Sequence, residues 1–204
     1  NLSLLAAVLT DQQHYAEAEA LHREALAMRR SLRGDEHLEV LTSIHNLAFV
    51  LACQRKNSEA EKLFREAIAL GHQLFGKSDP RIASDMYRLA QVLEAEGRLA
   101  EAENESRRSL TMTRELGGDQ ASETALRLEQ LGRLLNARRE FADGAQMLGE
   151  ALAIRRGERG GESPEVAGDL HLLGESLFGQ RRLPEAERCF RDALELRRKL
   201  SDGD

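Results

Sequence analysis

The stretch Tyr15 to Met28, YAEAEALHREALAM, is followed by four relatives at a fixed step. They are NSEAEKLFREAIAL from Asn57, LAEAENESRRSLTM from Leu99, FADGAQMLGEALAI from Phe141 and LPEAERCFRDALEL from Leu183. Each start lies 42 residues after the last, with no insertion or deletion. A period of that length marks stacked supersecondary units, each covering the apolar face of its neighbour. One unit alone buries too little apolar surface to offset the entropy of ordering its backbone, so stability has to come from the interfaces between units.

Aligned at this period, residues 1–204 read as one array of five units: Asn1 to His37, lacking the start of its first helix, then Leu38 to Asp79, Pro80 to Ala121, Ser122 to Ser163 and Pro164 to Asp204. Each unit carries two helical patterns. In the first, Leu2, Leu5, Ala6 and Leu9 recur as Ile44, Leu47, Ala48 and Leu51, then as Met86, Leu89, Ala90 and Leu93. The last two copies read Leu128, Leu131, Gly132, Leu135 and Leu170, Leu173, Gly174, Leu177. Steps of three and four place these side chains on one stripe of an α-helix, which predicts an all-α chain. A small residue beside the stripe, and a second small pair in the following helix (Ala18 and Ala25, Ala60 and Ala67, Ala102 and Ser109, Gly144 and Ala151, Ala186 and Ala193), predict close helix-on-helix packing.

Helix ends are legible as well. Ser78-Asp79-Pro80 and Glu162-Ser163-Pro164 set a capping side chain before a proline at the first helical position, so these prolines start helices. Gly34, Gly76, Gly118 and Gly160 follow the second helices, where a left-handed cap or turn is expected. Arg29-Arg30, Arg155-Arg156 and Arg197-Arg198 fall in the last turns, where cations suit the helix dipole. The incomplete first helix and the lack of a polar capping helix at the other end lead us to expect a piece of a longer protein.

Composition narrows the functional classes. The chain is 41% apolar and 31% charged, with no Trp and three Pro, too apolar for disorder and without a run long enough to span a bilayer. The net charge of −6 is spread over both signs along the helices, so neither nucleic acid nor a membrane is an expected partner. Cys53 and Cys189 lie more than three repeats apart, beyond disulfide reach, which favours a reduced, cytoplasmic setting.

The helix-turn-helix unit carrying Leu47, Ala48, Leu51, Ala60, Phe64 and Ala67 is similar to the tetratricopeptide repeat, whose usual length is 34 residues. The eight extra residues, the EAExLxxxAL core and the junctions Gly76 to Pro80 and Gly160 to Pro164 resemble the 42-residue version of kinesin light chains and many bacterial signalling proteins. The resemblance implies a right-handed α-solenoid of five helix-turn-helix repeats. Its concave face, lined mainly by first helices, would bind a peptide or a partner helix.

Gly71 to Ser78, GHQLFGKS, satisfies the phosphate-loop pattern letter for letter. That loop works only between a strand and the start of a helix, whereas Gly71 ends a helix and Gly76 is the repeat glycine, so no nucleotide is expected. The six histidines form no metal-ligand spacing, and nothing resembles a nucleophile with its base. No catalysis, cofactor or metal is therefore expected. Cys189 shares a second-helix column with Leu21, Leu63 and Met147 and is expected to be buried filler.

Candidate binding residues come from the flank of the first-helix stripe, where the repeat does not dictate residue type. One column holds Ser3, His45, Tyr87, Glu129 and His171, and the column four further on holds Ala7, Phe49, Gln91, Arg133 and Glu175. The adjoining column holds Leu4, Asn46, Arg88, Gln130 and Leu172, with Asn136 and Phe178 one turn beyond. With six Phe and two Tyr in the chain, Phe49, Tyr87 and Phe178 on a face that need not be apolar point to anchors of a binding groove. Asn46 and Arg88 match parts of the family's carboxylate-capturing set, but Ser3 and Ala7 occupy the first repeat's places and no Lys appears. The kinesin-light-chain likeness implies instead that Asn46 and Gln130 hydrogen-bond an extended backbone. The expected function is a non-catalytic scaffold that buries partner side chains at Phe49 and Tyr87 and pairs acidic groups with Arg88 and Arg133. The alternative is a sensor, regulatory or self-association region of a larger bacterial-type signalling enzyme (kinase, ATPase or protease) with the groove filled in cis. Self-association through uncapped array ends is a further expected partnership.

Overall fold

A computed structural model describes residues 2–117, 121–159 and 161–201. Its described residues form ten α-helices and no strand: α1 (Leu2–Asp11), α2 (Tyr15–Arg33), α3 (Leu38–Cys53), α4 (Asn57–Phe75), α5 (Pro80–Ala95), α6 (Leu99–Leu116), α7 (Ala121–Ala137), α8 (Phe141–Arg159), α9 (Pro164–Gly179) and α10 (Leu183–Ser201). The even-numbered helices begin at the five residues that open the sequence repeat. They pack into two compact units, Asn1–Met112 and Thr113–Asp204, whose boundary falls within α6. In the first unit α1 to α5 each lie against the next, and in the second α7 to α10 do the same.

The stripe read from the sequence forms the core from α3 onward, whereas in α1 only Ala6 is buried, Leu2 and Leu9 are half-buried and Leu5 is exposed. Ile44, Leu47, Leu51, Met86, Leu89 and Leu93 are buried in the first unit, and Leu128, Leu131, Leu135, Leu170 and Leu177 in the second. The small residues allow the close approach they predicted. A Cβ added at Gly132 would lie 2.6 Å from Leu148 Cγ and 3.2 Å from the Gly144 carbonyl oxygen, so the backbones of α7 and α8 nearly touch. Gly71, the first residue of the phosphate-loop match, is a packing glycine inside α4, where a Cβ would come within 2.7 Å of Ile82 Cγ1.

The caps expected at the starts of α5 and α9 form. Asp79 accepts from the Arg81 backbone N–H at 2.9 Å, and Ser163 accepts from that of Val166 at 3.3 Å. The sequence did not announce the matching cap on α3, where His37 Nδ1 accepts from the Glu39 N–H at 3.1 Å. Gly34 and Gly76 have the expected positive φ of 77° and 82°. Their ψ values of 173° and −142° place them outside the left-handed helical basin, in a region that glycine alone enters freely. Gly118 and Gly160 lie outside the described residues, while their neighbours Gly117 and Gly161 have φ of 59° and 87°.

The turn inside each repeat holds a feature the sequence hid. Gln13, Arg55, Gly97, Arg139 and Arg181, spaced by the repeat, all have φ between 59° and 76°. The next residue's N–H then reaches back five positions: His14 to the Leu9 carbonyl at 2.8 Å, Lys56 to Leu51 at 2.9 Å and Glu140 to Leu135 at 2.8 Å. This closure satisfies carbonyls at the end of each first helix. Gln13, Arg55, Arg139 and Arg181 accept a left-handed conformation without being glycine.

Arg30 and Arg198 lie in the last turns of α2 and α10 as expected, but Arg155 departs from that expectation. Arg155 is buried rather than exposed on the last turn: Nη1 donates to Asp169 Oδ1 at 2.5 Å and Nη2 to Glu129 Oε2 at 2.7 Å. Arg29, at the same repeat position in the first unit, donates to Ser43 Oγ. Both tie a second helix to the first helix that follows. Cys189, expected to be buried, is half-buried, as are Leu21, Leu63 and Met147 in its column.

Candidate functional site

In the first unit α3 and α5 lie side by side, flanking a recess of about 210 Å³ lined by Phe49, Ala52, Cys53, Asn57, Phe64, Arg88, Gln91, Val92 and Ala95. The Arg88 guanidinium stands 4.8 Å from the centre of the Phe49 ring and 5.7 Å from that of Tyr87. Its Nη1 donates to Gln91 Oε1 at 3.2 Å, and among the described residues no carboxylate pairs with it. The recess is therefore an apolar hollow with one guanidinium at its mouth. Burial pushes the Cys53 thiol above its ordinary pKa, with Arg88 and Tyr15 opposing, so it stays protonated at neutral pH.

A smaller hollow of about 200 Å³, lined by Leu41, Thr42, His45, Arg81, Ser84 and Asp85, lies nearer the start of the same two helices. His45 stands between the two hollows. Its Nδ1 is 2.5 Å from Asp85 Oδ1, and its ring meets the Phe64 ring edge-on at 6.2 Å. Asp85 is buried, and burial raises its pKa against the pull of His45.

The second unit builds a recess of about 560 Å³ from Arg133, Asn136, Ala137, Phe141, Glu175, Phe178 and Phe190. Five of these seven sit 84 residues, two repeats, after a lining residue of the first recess: Arg133 after Phe49, Asn136 after Ala52, Ala137 after Cys53, Phe141 after Asn57 and Glu175 after Gln91. Each unit thus opens the same hollow at the same repeat register. Phe178 is 58% exposed at the rim of the second.

The sequence candidates divide accordingly. Phe49, Arg88 and Gln91 come together in the first unit, and Arg133, Asn136, Glu175 and Phe178 in the second. His171 sits beside the second recess, its Nε2 3.5 Å from Glu175 Oε1 and its ring 5.5 Å from that of Phe190. Asn46 is half-buried on α3, Tyr87 and Gln130 are buried, and Glu129 is drawn to Arg155. Asn136 is engaged internally, donating to the Leu172 carbonyl at 3.1 Å and accepting from Ser176 Oγ at 2.7 Å.

Phe64, Phe141 and Phe190, from second helices, were missed, because the first-helix stripe directs attention away from them. Their signal was rarity: the chain has six Phe, and these three stand where the repeat does not require an aromatic ring. Also missed was a buried polar column at the repeat spacing, formed by Ser43, Asp85, Arg127 and Asp169. At Asp169 burial outweighs the attraction of Arg155 and carries the carboxyl up to about 6, while Oδ2 has no hydrogen-bond partner. Arg155 keeps its charge, because Glu129 and Asp169 together outweigh the burial that opposes it. Among the described residues no cluster of His, Cys, Asp and Glu could hold a metal ion.

The profile of the tetratricopeptide repeat matches residues 1–73 and 122–199. The chain belongs to the tetratricopeptide repeat family. Solved structures agree with the 42-residue type of this repeat. The nearly identical repeats of a Podosopora anserina kinesin light chain are 18% identical, cover 98% of this chain and 94% of their own, and have a TM-score of 0.84. BtubC from P. vanneervenii is 22% identical over 98% of this chain and 80% of its own, with a TM-score of 0.87. YrrB, described as a tetratricopeptide repeat protein with an unusual peptide-binding site, is 14% identical over 96% and 84%, with a TM-score of 0.64. No curated protein matches the chain. The fold class is thus the expected all-α, tetratricopeptide-type solenoid, and among the described residues no helix is long and apolar enough to cross a membrane. Tetratricopeptide repeat proteins typically present surfaces to other proteins.

Proposed function

We propose that this tetratricopeptide repeat chain is a peptide-binding scaffold whose two recesses each receive an apolar side chain of a partner protein. One observation carries the reading: both units build the hollow at the same repeat register, and each joins aromatic surface to a guanidinium, Phe49 with Arg88 and Phe178 with Arg133. An apolar side chain entering the first recess sheds water against Phe49, Phe64 and Val92, and an acidic neighbour on the same peptide pairs with Arg88. The second recess offers Arg133 and Glu175 together and so suits a peptide carrying both signs of charge. Asn46 remains within the proposed surface on α3, as do His45 and His171 at its edges. Residues 1–204 are read as one array acting as a unit.

Peptides selected from a displayed random library against the full chain provide the test. Phe49→Ala with Arg88→Ala should weaken those selected at the first recess by about 2 kcal/mol or more, the usual cost of removing an aromatic and arginine anchor. Unchanged affinity in a variant with the parent's helical circular dichroism would refute the reading.

A further inference from the structure

The first recess shares its groove with the smaller hollow. Both lie on α3 and α5, and five of the six residues lining the smaller one stand seven positions before a lining residue of the first recess, among them Thr42 before Phe49, Arg81 before Arg88 and Asp85 before Val92. The shift has the same sign on both helices, so they run parallel and one groove between them opens twice. Seven residues are two helical turns, about 10.5 Å along the groove. Between the openings His45 of α3 meets Asp85 of α5, with Nδ1 2.5 Å from Oδ1. This polar bridge is the ridge between two seats of about 200 Å³ and about 210 Å³.

The spacing selects the shape of an occupant. In an α-helix, residues i and i+7 share a face and lie about 10.5 Å apart. In an extended strand the side chains return to one face about every 6.7 Å or about every 13.4 Å, and the residue at about 10 Å points the other way. A polyproline II segment repeats its face at about 9.3 Å, about 1 Å short. The charges select the sequence. Arg81 is matched within the chain: Nε and Nη2 donate to the two carboxylate oxygens of Asp79 at 2.8 Å each, and the guanidinium stands 3.6 Å from the centre of the Phe75 ring. Arg88 has aromatic rings and Gln91 around its guanidinium and no carboxylate among the described residues, so the open positive charge lies at the Phe49 seat.

We propose that the occupant of this groove is an α-helix of a partner protein, lying along α3 and α5 with large apolar residues at i and i+7 in the two seats. The inference rests on the peptide-binding reading of the first recess, and adds a second seat and the conformation of the partner. The partner residue midway, at i+3 or i+4, passes over the bridge of His45 and Asp85 and is small. An aspartate or glutamate beside the apolar residue in the Phe49 seat pairs with Arg88. Recognition is of the helix-in-groove kind, with the anchors on one stripe of the partner. Both seats lie inside the array, with helices preceding and following them in the chain.

A displayed library of alanine-rich helical peptides of about 20 residues, randomised on one face and selected against the full chain, tests this. Binders should carry large apolar residues seven apart with an acidic residue next to one of them. Moving the second apolar residue from i+7 to i+5 should weaken binding about tenfold or more, as should a proline between the anchors. Ser84, half-buried, and Thr42, exposed, both line the smaller hollow. Ser84→Phe and Thr42→Trp fill it and should each weaken the same peptides about tenfold or more while keeping the parent's helical circular dichroism. A peptide whose second apolar residue is replaced by alanine should bind the parent and Ser84→Phe alike. Binders weakened by Phe49→Ala with Arg88→Ala but not by Ser84→Phe or Thr42→Trp would overturn this inference and leave the peptide-binding reading standing. Binders that tolerate the proline, or a helical library that yields no binder, would overturn it too. Binders insensitive to Phe49→Ala with Arg88→Ala would remove the peptide-binding reading and this inference with it.

Discussion

The buried carboxylate of Asp169 should make the stability of this chain fall as pH rises through the weakly acidic range. Asp169 is fully buried, its Oδ2 has no hydrogen-bond partner, and its carboxyl is pushed by burial from 3.8 up to about 6. Arg155, 2.5 Å away, pulls in the opposite direction, while Glu129 and Glu165 add to the rise. Between about pH 4 and pH 6 the folded chain then holds a proton that the unfolded chain has released. The sign follows: stability contributed by the protonated group is present below about pH 4 and is lost as pH climbs to about 6. A rise of about two pKa units corresponds to about 3 kcal/mol across that window. Asp85, also buried and raised, adds a slope of the same sign. The assay is a carbon-13 titration of side-chain carboxyls, in which the Asp169 signal should move with a midpoint near 6. Urea unfolding at about pH 4.5 and about pH 7 should show the slope, and Asp169→Asn should reduce it. An Asp169 midpoint at or below about 4 would refute the reasoning, because Arg155 would then outweigh burial.

Two further outcomes follow from the packing. Gly132→Ala forces a Cβ to 2.6 Å from the buried Leu148 Cγ and should cost about 1–3 kcal/mol. Gly149→Ala, in α8 with nothing within 4 Å of the added Cβ, should instead stabilise by up to about 1 kcal/mol, so thermal melts of the two variants should shift in opposite directions. If residues 1–204 act as one array, the full chain should unfold in a single calorimetric transition, and two separate transitions would count against that part of the proposal.

Much of the architecture was legible because the same 42 positions are written five times. A stripe such as Leu47, Leu89 and Leu131 identifies the buried face, and Asp79-Pro80 and Ser163-Pro164 mark helix starts through local chemistry. The left-handed turn residues were hidden because Arg55, Arg139 and Arg181 do not look like turn residues. Their conformation is imposed by the helices on either side, which outweigh local preference. Of the candidate site, Phe49, Arg88 and Phe178 were within reach, since a periodic sequence reveals a face by what fails to repeat. Phe64, Phe141 and Phe190 were not, since they reach the recesses from second helices.

The sequence by itself determined the helices, their pairing and the apolar stripe, because these depend on spacing along the chain. Only the tertiary structure decided that Arg155 turns inward to Asp169 and Glu129, that His45 meets Asp85, and that each unit opens a hollow at the same repeat register. Those outcomes depend on which polar groups face each other across packed helices. Two residues 14 or 40 positions apart acquire a common environment only after the neighbouring repeat has removed the water between them.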